Sequence, residues 1–354
     1  MRWMYAMLIL VPITIVLHFV YNNPTLMFAM SCLAIIPLAG FMGTATEELA
    51  KYRGPSVGGL LNATFGNATE LIIAIVALQN AEIEVVKASL IGSIIGNLLL
   101  VLGLSLLMGG LKYKNQSFNQ DMAGMHAAML VMAVISLLVP ALFVRNVPGM
   151  SEAPSNTSVL HLSLGVAGVL LALYLGSLIF SLKTHESIFR GGEEEEEEKP
   201  NWKQSKAMWV LLVSTVFVAL ESEFLVHSIK PVVEHLGVSK LFLGIIVVPI
   251  IGNAAEHSTA VLMALKNKMD ISFNIATASS TQIAMFVAPV IIFAAYFMGH
   301  PITILFSNFE LVAVSVSVLI AALIALDGKC HWLEGAQLLA VYIIIGMAFY
   351  FIPK

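Results

Sequence analysis

The sequence predicts an all-α polytopic membrane protein of about eleven transmembrane helices, one extra helix followed by two inverted five-helix repeats. Three observations predict it. Of the 354 residues 58% are hydrophobic and only 11% charged, whereas soluble domains carry about a quarter of charged residues. One short motif is written twice, Gly66-Asn67-Ala68-Thr69-Glu70 and Gly252-Asn253-Ala254-Ala255-Glu256. Lysine and arginine also fall unevenly on alternate loops, as they do on the two sides of a membrane.

Residues 3–20 are apolar behind Arg2, and no small-residue cleavage site follows in Tyr-Asn-Asn-Pro, so this stretch reads as a retained first helix. At about 20 apolar residues per span, the remainder divides into segments near 26–48, 57–80, 85–108, 122–144, 158–182, 207–229, 241–265, 271–298, 303–325 and 333–352. Counting alternate loops places thirteen Lys and Arg on one side and five on the other. The N-terminus is therefore expected in the cytoplasm and the C-terminus outside, in a multi-pass protein of the cell membrane.

The motif copies fall on the third and eighth spans, and an odd separation gives them opposite orientations. Ala77-Leu78-Gln79-Asn80 after the first copy is echoed by Ala264-Leu265-Lys266-Asn267 after the second, with one residue of slippage. The expected organisation is an extra helix over 1–21, a repeat over 25–183, an acidic cytoplasmic linker over 184–206 and a second repeat over 207–354. The linker carries six consecutive glutamates, Glu193 to Glu198, and is most simply a solvated connection.

An ionised side chain in mid-membrane costs at least ~2.5 kcal/mol, so Glu70 and Glu256 demand a reason. Glycine inside a helix adds about 1 kcal/mol more, and asparagine needs a partner where there is no water. A helix distorted at Gly66 and Gly252 exposes backbone carbonyls. With the amides of Asn67 and Asn253 and the two carboxylates they make an all-oxygen cluster, the donor set of a hard cation such as Ca²⁺. Burial disfavours charged carboxylates, and a second carboxylate nearby disfavours them further, so the proton is the natural competitor for Glu70 and Glu256.

The following helix of each half adds small polar groups. Ser93 lies 23 residues after Glu70 and Ser279 lies 23 after Glu256. Asn97, Ser280 and Gln282 join them as candidate lining residues, against the plainer reading of serines that glue helices together. Glu221, Glu223, Glu47, Glu48 and His257 are candidates for a cation entrance or an outer ring of proton acceptors, with Glu47 and Glu48 expected to meet water at a helix end. His18, His126, His161 and His227 read as packing or interfacial residues, since no histidine pair has HExxH spacing. The two cysteines, Cys32 and Cys330, form no disulfide or zinc pattern.

The paired motifs, the five-plus-five repeat after an extra helix and the acidic linker resemble the bacterial calcium/proton antiporters of the cation/proton exchanger family, within the calcium/cation antiporter superfamily. The resemblance runs through nearly the whole chain. It implies that Glu70 and Glu256 are the central cation-binding carboxylates, that Asn67 and Asn253 are motif amides, and that Ser93, Asn97, Ser279 and Gln282 line the site. Ala278 stands where the family usually has glycine. The expected function is alternating-access exchange of Ca²⁺ for H⁺, both as transported ions with no cofactor, and no enzyme activity. Oxygen ligands leave Na⁺ or K⁺ as coupling ion and Mn²⁺ as cargo open. A passive channel fits two non-identical inverted halves less well, and no hydrolase motif supports an intramembrane enzyme. Beyond the ions and the lipid bilayer no partner is indicated: there is no nucleic-acid footprint, and the oligomeric state stays open, a homo-oligomer included.

Overall fold

In a computed structural model, residues 2–20, 23–147, 150, 156–185 and 199–353 are described. Nearly all of them are helical. Seven helices are long and apolar enough to cross a membrane: α2 (Pro24–Lys51), α5 (Ile83–Lys112), α6 (Gln120–Asn146), α7 (Thr157–Thr184), α8 (Gln204–Leu236), α11 (Met269–Phe297) and α13 (Trp332–Tyr350). An eighth crossing is the pair α9 (Lys240–Gly252) and α10 (Ala254–Leu265), bent by 62° at their junction. Shorter apolar helices are α1 (Met4–Val20), α4 (Ala68–Gln79) and α12 (Asn308–Ile324), and α3 (Gly54–Phe65) leads into α4. Each of the eleven predicted spans therefore contains helix, with the third and eighth broken in two. Most of the predicted linker lies outside the described residues.

Local chemistry sets the ends. Asn23 caps α2 by accepting from the Leu26 amide at 3.0 Å, with Pro24 at the first helical position, where its missing N–H costs nothing. Ser307 and Glu310 form a reciprocal capping box on α12. Among the described residues four spans contain a π-helical turn, at Gly96–Val101, Phe180–Thr184, Leu243–Val247 and Ile283–Val287. Such turns cluster at functional sites because they free backbone groups and turn side chains around the axis.

The chain gathers into two compact units, each drawn from both halves of the sequence: Met1–Ser89 with Leu178–Glu256 and Phe349–Lys354, and Leu90–Ser177 with His257–Ala348. In the first unit α2 packs along α8, with α1, α3 and α9 also against α2, and α4 against α8. Leu38 and Met42 of α2 meet Val11, Ala68 and Val218 in its core. In the second unit α6 packs against α11 and α12. A two-residue ribbon, Gln116–Ser117 antiparallel to Lys329–Cys330, joins two of its loops.

Candidate cation site

Both motifs interrupt their helices. Gly66 closes α3, Asn67 stands before α4, and Glu70 is the third residue of α4. Gly252 closes α9, Asn253 is the hinge, and Glu256 is the third residue of α10. Each glutamate thus lies in the first turn of a helix, where unsatisfied N–H groups and the dipole favour negative charge. Glycine is a poor helix former at both breaks, and at the second the asparagine also bonds the nearby backbone. Asn253 Nδ2 donates to the Pro249 carbonyl at 3.1 Å, and such local bonds compete with the helix ladder.

The first unit brings the motif residues together. The carboxylates of Glu70 and Glu256 lie close enough to repel one another. A methyl group added at Gly252 would sit 3.6 Å from Glu70 Cγ and 3.8 Å from its Oε1, so the glycine surface is the wall against which the Glu70 carboxylate rests. Glu70 Oε2 is buried and accepts no hydrogen bond from the described residues. Asn67 and Asn253 are both buried, at 1% exposure. No three His, Cys, Asp or Glu side chains converge as metal ligands among the described residues, so a cation held here draws its other ligands from amides, carbonyls and water.

The second unit gathers the candidate lining residues on α5 and α11. Asn97, within the first π-turn, donates through Nδ2 to Ser279 Oγ at 3.0 Å, and His257 Nε2 lies 3.3 Å from Asn97 Oδ1. Ser93 and Ser279 are buried. Ser280 is also fully buried, but its hydroxyl donates to the Ala276 carbonyl of its own helix at 2.9 Å, so it offers less to a site than the sequence suggests. Gln282 is half-buried at the start of a π-turn.

The outlying acids separate. Glu47 is exposed at the end of α2. Glu48, expected to meet water, is buried instead: its carboxylate accepts from the Trp202 amide at 2.8 Å, Asn201 at 3.3 Å and Lys51 at 3.3 Å. Glu221 is completely buried and takes a hydrogen bond from Thr14 of α1, with Ser31 of α2 beside it. Glu223 opens instead onto a cavity. Sequence reasoning missed Thr14, Asn80 and Trp202 as partners of these acids. Asn80 alone carried a signal, as part of the repeat.

A profile described as sodium/calcium exchanger protein matches residues 23–183 and 206–351. The chain belongs to the sodium/calcium exchanger family. The matched blocks leave out the acidic stretch between them, and each contains one copy of the motif. This exchanger-family chain is 48% identical to a Ca²⁺/H⁺ antiporter of Aphanothece halophytica over 366 residues, covering 99% of the chain and 96% of the relative. It is 44% identical to the Ca²⁺/H⁺ antiporter ChaA of Bacillus subtilis, covering 96% of each. Among solved structures it resembles native YfkE, with a TM-score of 0.85 and 40% identity, covering 99% of this chain and all of that one. An H⁺/Ca²⁺ exchanger structure, CAX, shares the fold at a TM-score of 0.75 and 15% identity, over 99% of this chain and 91% of that one.

Proposed function

We propose that the protein is a secondary transporter that exchanges Ca²⁺ for H⁺ across the cell membrane, with Glu70 and Glu256 as the shared site for the two competing ions. The observation that carries the reading is the pairing of these two carboxylates in the first turns of broken helices, with Gly252 against Glu70. Relatives 44% to 48% identical over almost the full chain are named Ca²⁺/H⁺ antiporters, which supports the same ion pair here.

The chemistry follows from charge. Two adjacent carboxylates without a cation are costly in a low dielectric. Protons neutralise the empty site and Ca²⁺ neutralises the loaded one, while the bare dianion resists the change of access. That restriction couples the two fluxes. Asn67, Asn253 and the carbonyls of Gly66 and Gly252 supply neutral oxygens. With the N-terminus in the cytoplasm and an inward proton-motive force, the outcome is calcium export.

The test is ⁴⁵Ca²⁺ uptake into sealed vesicles under imposed pH, Na⁺ and voltage gradients. Uptake driven by a proton gradient and indifferent to Na⁺ is expected. Uptake that follows Na⁺ instead would favour sodium coupling, the reading suggested by the family description. Uptake without any gradient of a counter-ion would mean a channel.

A further inference from the structure

Glu223 and His227 lie one turn apart on α8, with His227 Nδ1 3.3 Å from Glu223 Oε1. The Asn80 amide, just past the end of α4, reaches both oxygens of the same carboxylate at 3.4 and 3.5 Å. His18, near the end of α1, stacks on Phe224 with ring centroids 4.5 Å apart. Asn23, Pro24 and Met27 from the start of α2 and Ser228 and Pro231 from α8 complete the walls of a cavity of about 490 Å³. At ~30 Å³ per water it has room for a hydrated divalent cation and more.

Among the described residues Glu223 is the one carboxylate lining this cavity, and no lysine or arginine lines it. Its side chain is 42% exposed and that of His227 63%. A contact so exposed adds little to stability, so folding does not account for a carboxylate here. A single negative charge in a recess with low-dielectric walls concentrates cations. The Asn80 brace also ties the recess to α4, the helix that begins with the motif: ten residues separate Asn80 from Glu70, or ~15 Å along the axis.

We infer that this cavity is a landing site for a hydrated divalent cation, with Glu223 as the attracting carboxylate and Asn80 as its brace. The inference rests on the reading of the protein as a Ca²⁺ exchanger and adds where the ion pauses on the face that carries the Asn23 turn.

The experiment places a cysteine at the mouth, His227→Cys, in the full-length chain; the native Cys32 and Cys330 are buried. A cationic methanethiosulfonate is compared with its anionic counterpart. The cationic reagent should react about three- to tenfold faster, a preference that high salt removes. Ca²⁺ should suppress the cationic reagent. Adding Glu223→Gln should abolish both the preference and the suppression, while Glu223→Asp, which keeps the charge, should retain them. Equal rates for the two reagents, or a Ca²⁺ suppression that survives Glu223→Gln, would overturn the landing site. This readout needs no transport, so its failure is distinguishable from a failure of the Ca²⁺/H⁺ reading, which the vesicle fluxes decide.

Discussion

Ala81 and Asn267 adopt the same left-handed backbone at the same step of the two repeats, with φ of 57° and 60°. Each follows its motif glutamate by eleven residues, and the next helix begins two residues later, at Ile83 and at Met269. The one-residue slip between Asn80 and Asn267 is therefore a slip of side chains, and the backbone keeps register. Asparagine tolerates the left-handed region, whereas alanine there costs roughly 1–2 kcal/mol. Ala81→Gly should raise the thermal unfolding midpoint in detergent, reflecting about 1 kcal/mol. Asn267→Ala should lower it, since Asn267 Oδ1 also accepts from Gln116 at 3.0 Å. An unchanged midpoint for Ala81→Gly would mean that the turn carries no strain.

The buried Glu48 carboxylate holds the backbone at Trp202, and the Tyr52 hydroxyl donates to the Trp202 carbonyl at 2.6 Å. Together they fasten the segment ahead of α8 to the end of α2. Glu48→Ala leaves the part-buried Trp202 amide without its acceptor, which costs roughly 1 kcal/mol locally. Limited trypsinolysis should then cut faster at Lys203, and Tyr52→Phe should have a smaller effect. Equal cleavage of wild type and Glu48→Ala would show that the clasp is idle.

The helices and the paired motif were legible because both are written in local pattern: apolar length for a span, and a glycine-asparagine break before a carboxylate. The partners of the outlying acids were not. Glu48 sits near a helix end, and its contact with Trp202 joins residues 154 apart in sequence, which no local pattern encodes. The compact units, each assembled from both halves, are likewise invisible to a reading that follows the chain. Gln282 shows a subtler limit. Counted from the glutamates, Asn97 is the counterpart of Ile283 and Gln282 of Gly96, so the two amides occupy different steps of the repeat.

Asn97 uses both ends of its amide. Since Nδ2 donates to Ser279, Oδ1 must accept, and the contact with His257 Nε2 at 3.3 Å requires the tautomer protonated there. His257→Gln keeps a donor and should preserve much of the flux. His257→Leu removes it, leaving a buried acceptor at a cost of about 1–3 kcal/mol, so flux should fall by roughly tenfold or more. Matched flux in the two variants would remove His257 from the positioning of Asn97.

Cys330 lies in the ribbon outside the spans, and its thiol is pushed up to about 12 by burial first and then by Glu334 and Asp327. A thiol with so little thiolate is a poor nucleophile. Maleimide labelling of the folded protein near neutral pH should therefore be negligible at this position and appear on denaturation. Rapid labelling of the native state at Cys330, identified by peptide mapping, would contradict the burial.

Glu70 and Glu256 remain the decisive pair. Replacing either by glutamine keeps size and an oxygen ligand while removing the charge and the titratable proton. The amide resembles the protonated acid, so folding should survive, as judged by an unchanged gel-filtration profile in detergent. Transport should not survive: a site with one fixed neutral member neither balances Ca²⁺ nor returns to the doubly protonated form. Asn67→Ala and Asn253→Ala should be milder, because water can replace a neutral ligand. The wild-type protein should release protons when Ca²⁺ is added in unbuffered solution, since the cation takes only ionised carboxylates. The sign of the pH dependence follows: lowering pH refills the carboxylates with protons, so the apparent Ca²⁺ dissociation constant should rise as pH falls. In Glu70→Gln and Glu256→Gln that dependence should flatten. A Glu70→Gln protein that exchanges Ca²⁺ for H⁺ at near wild-type rate would move the site elsewhere, and the buried Glu221 with its Thr14 partner would be the next carboxylate to replace.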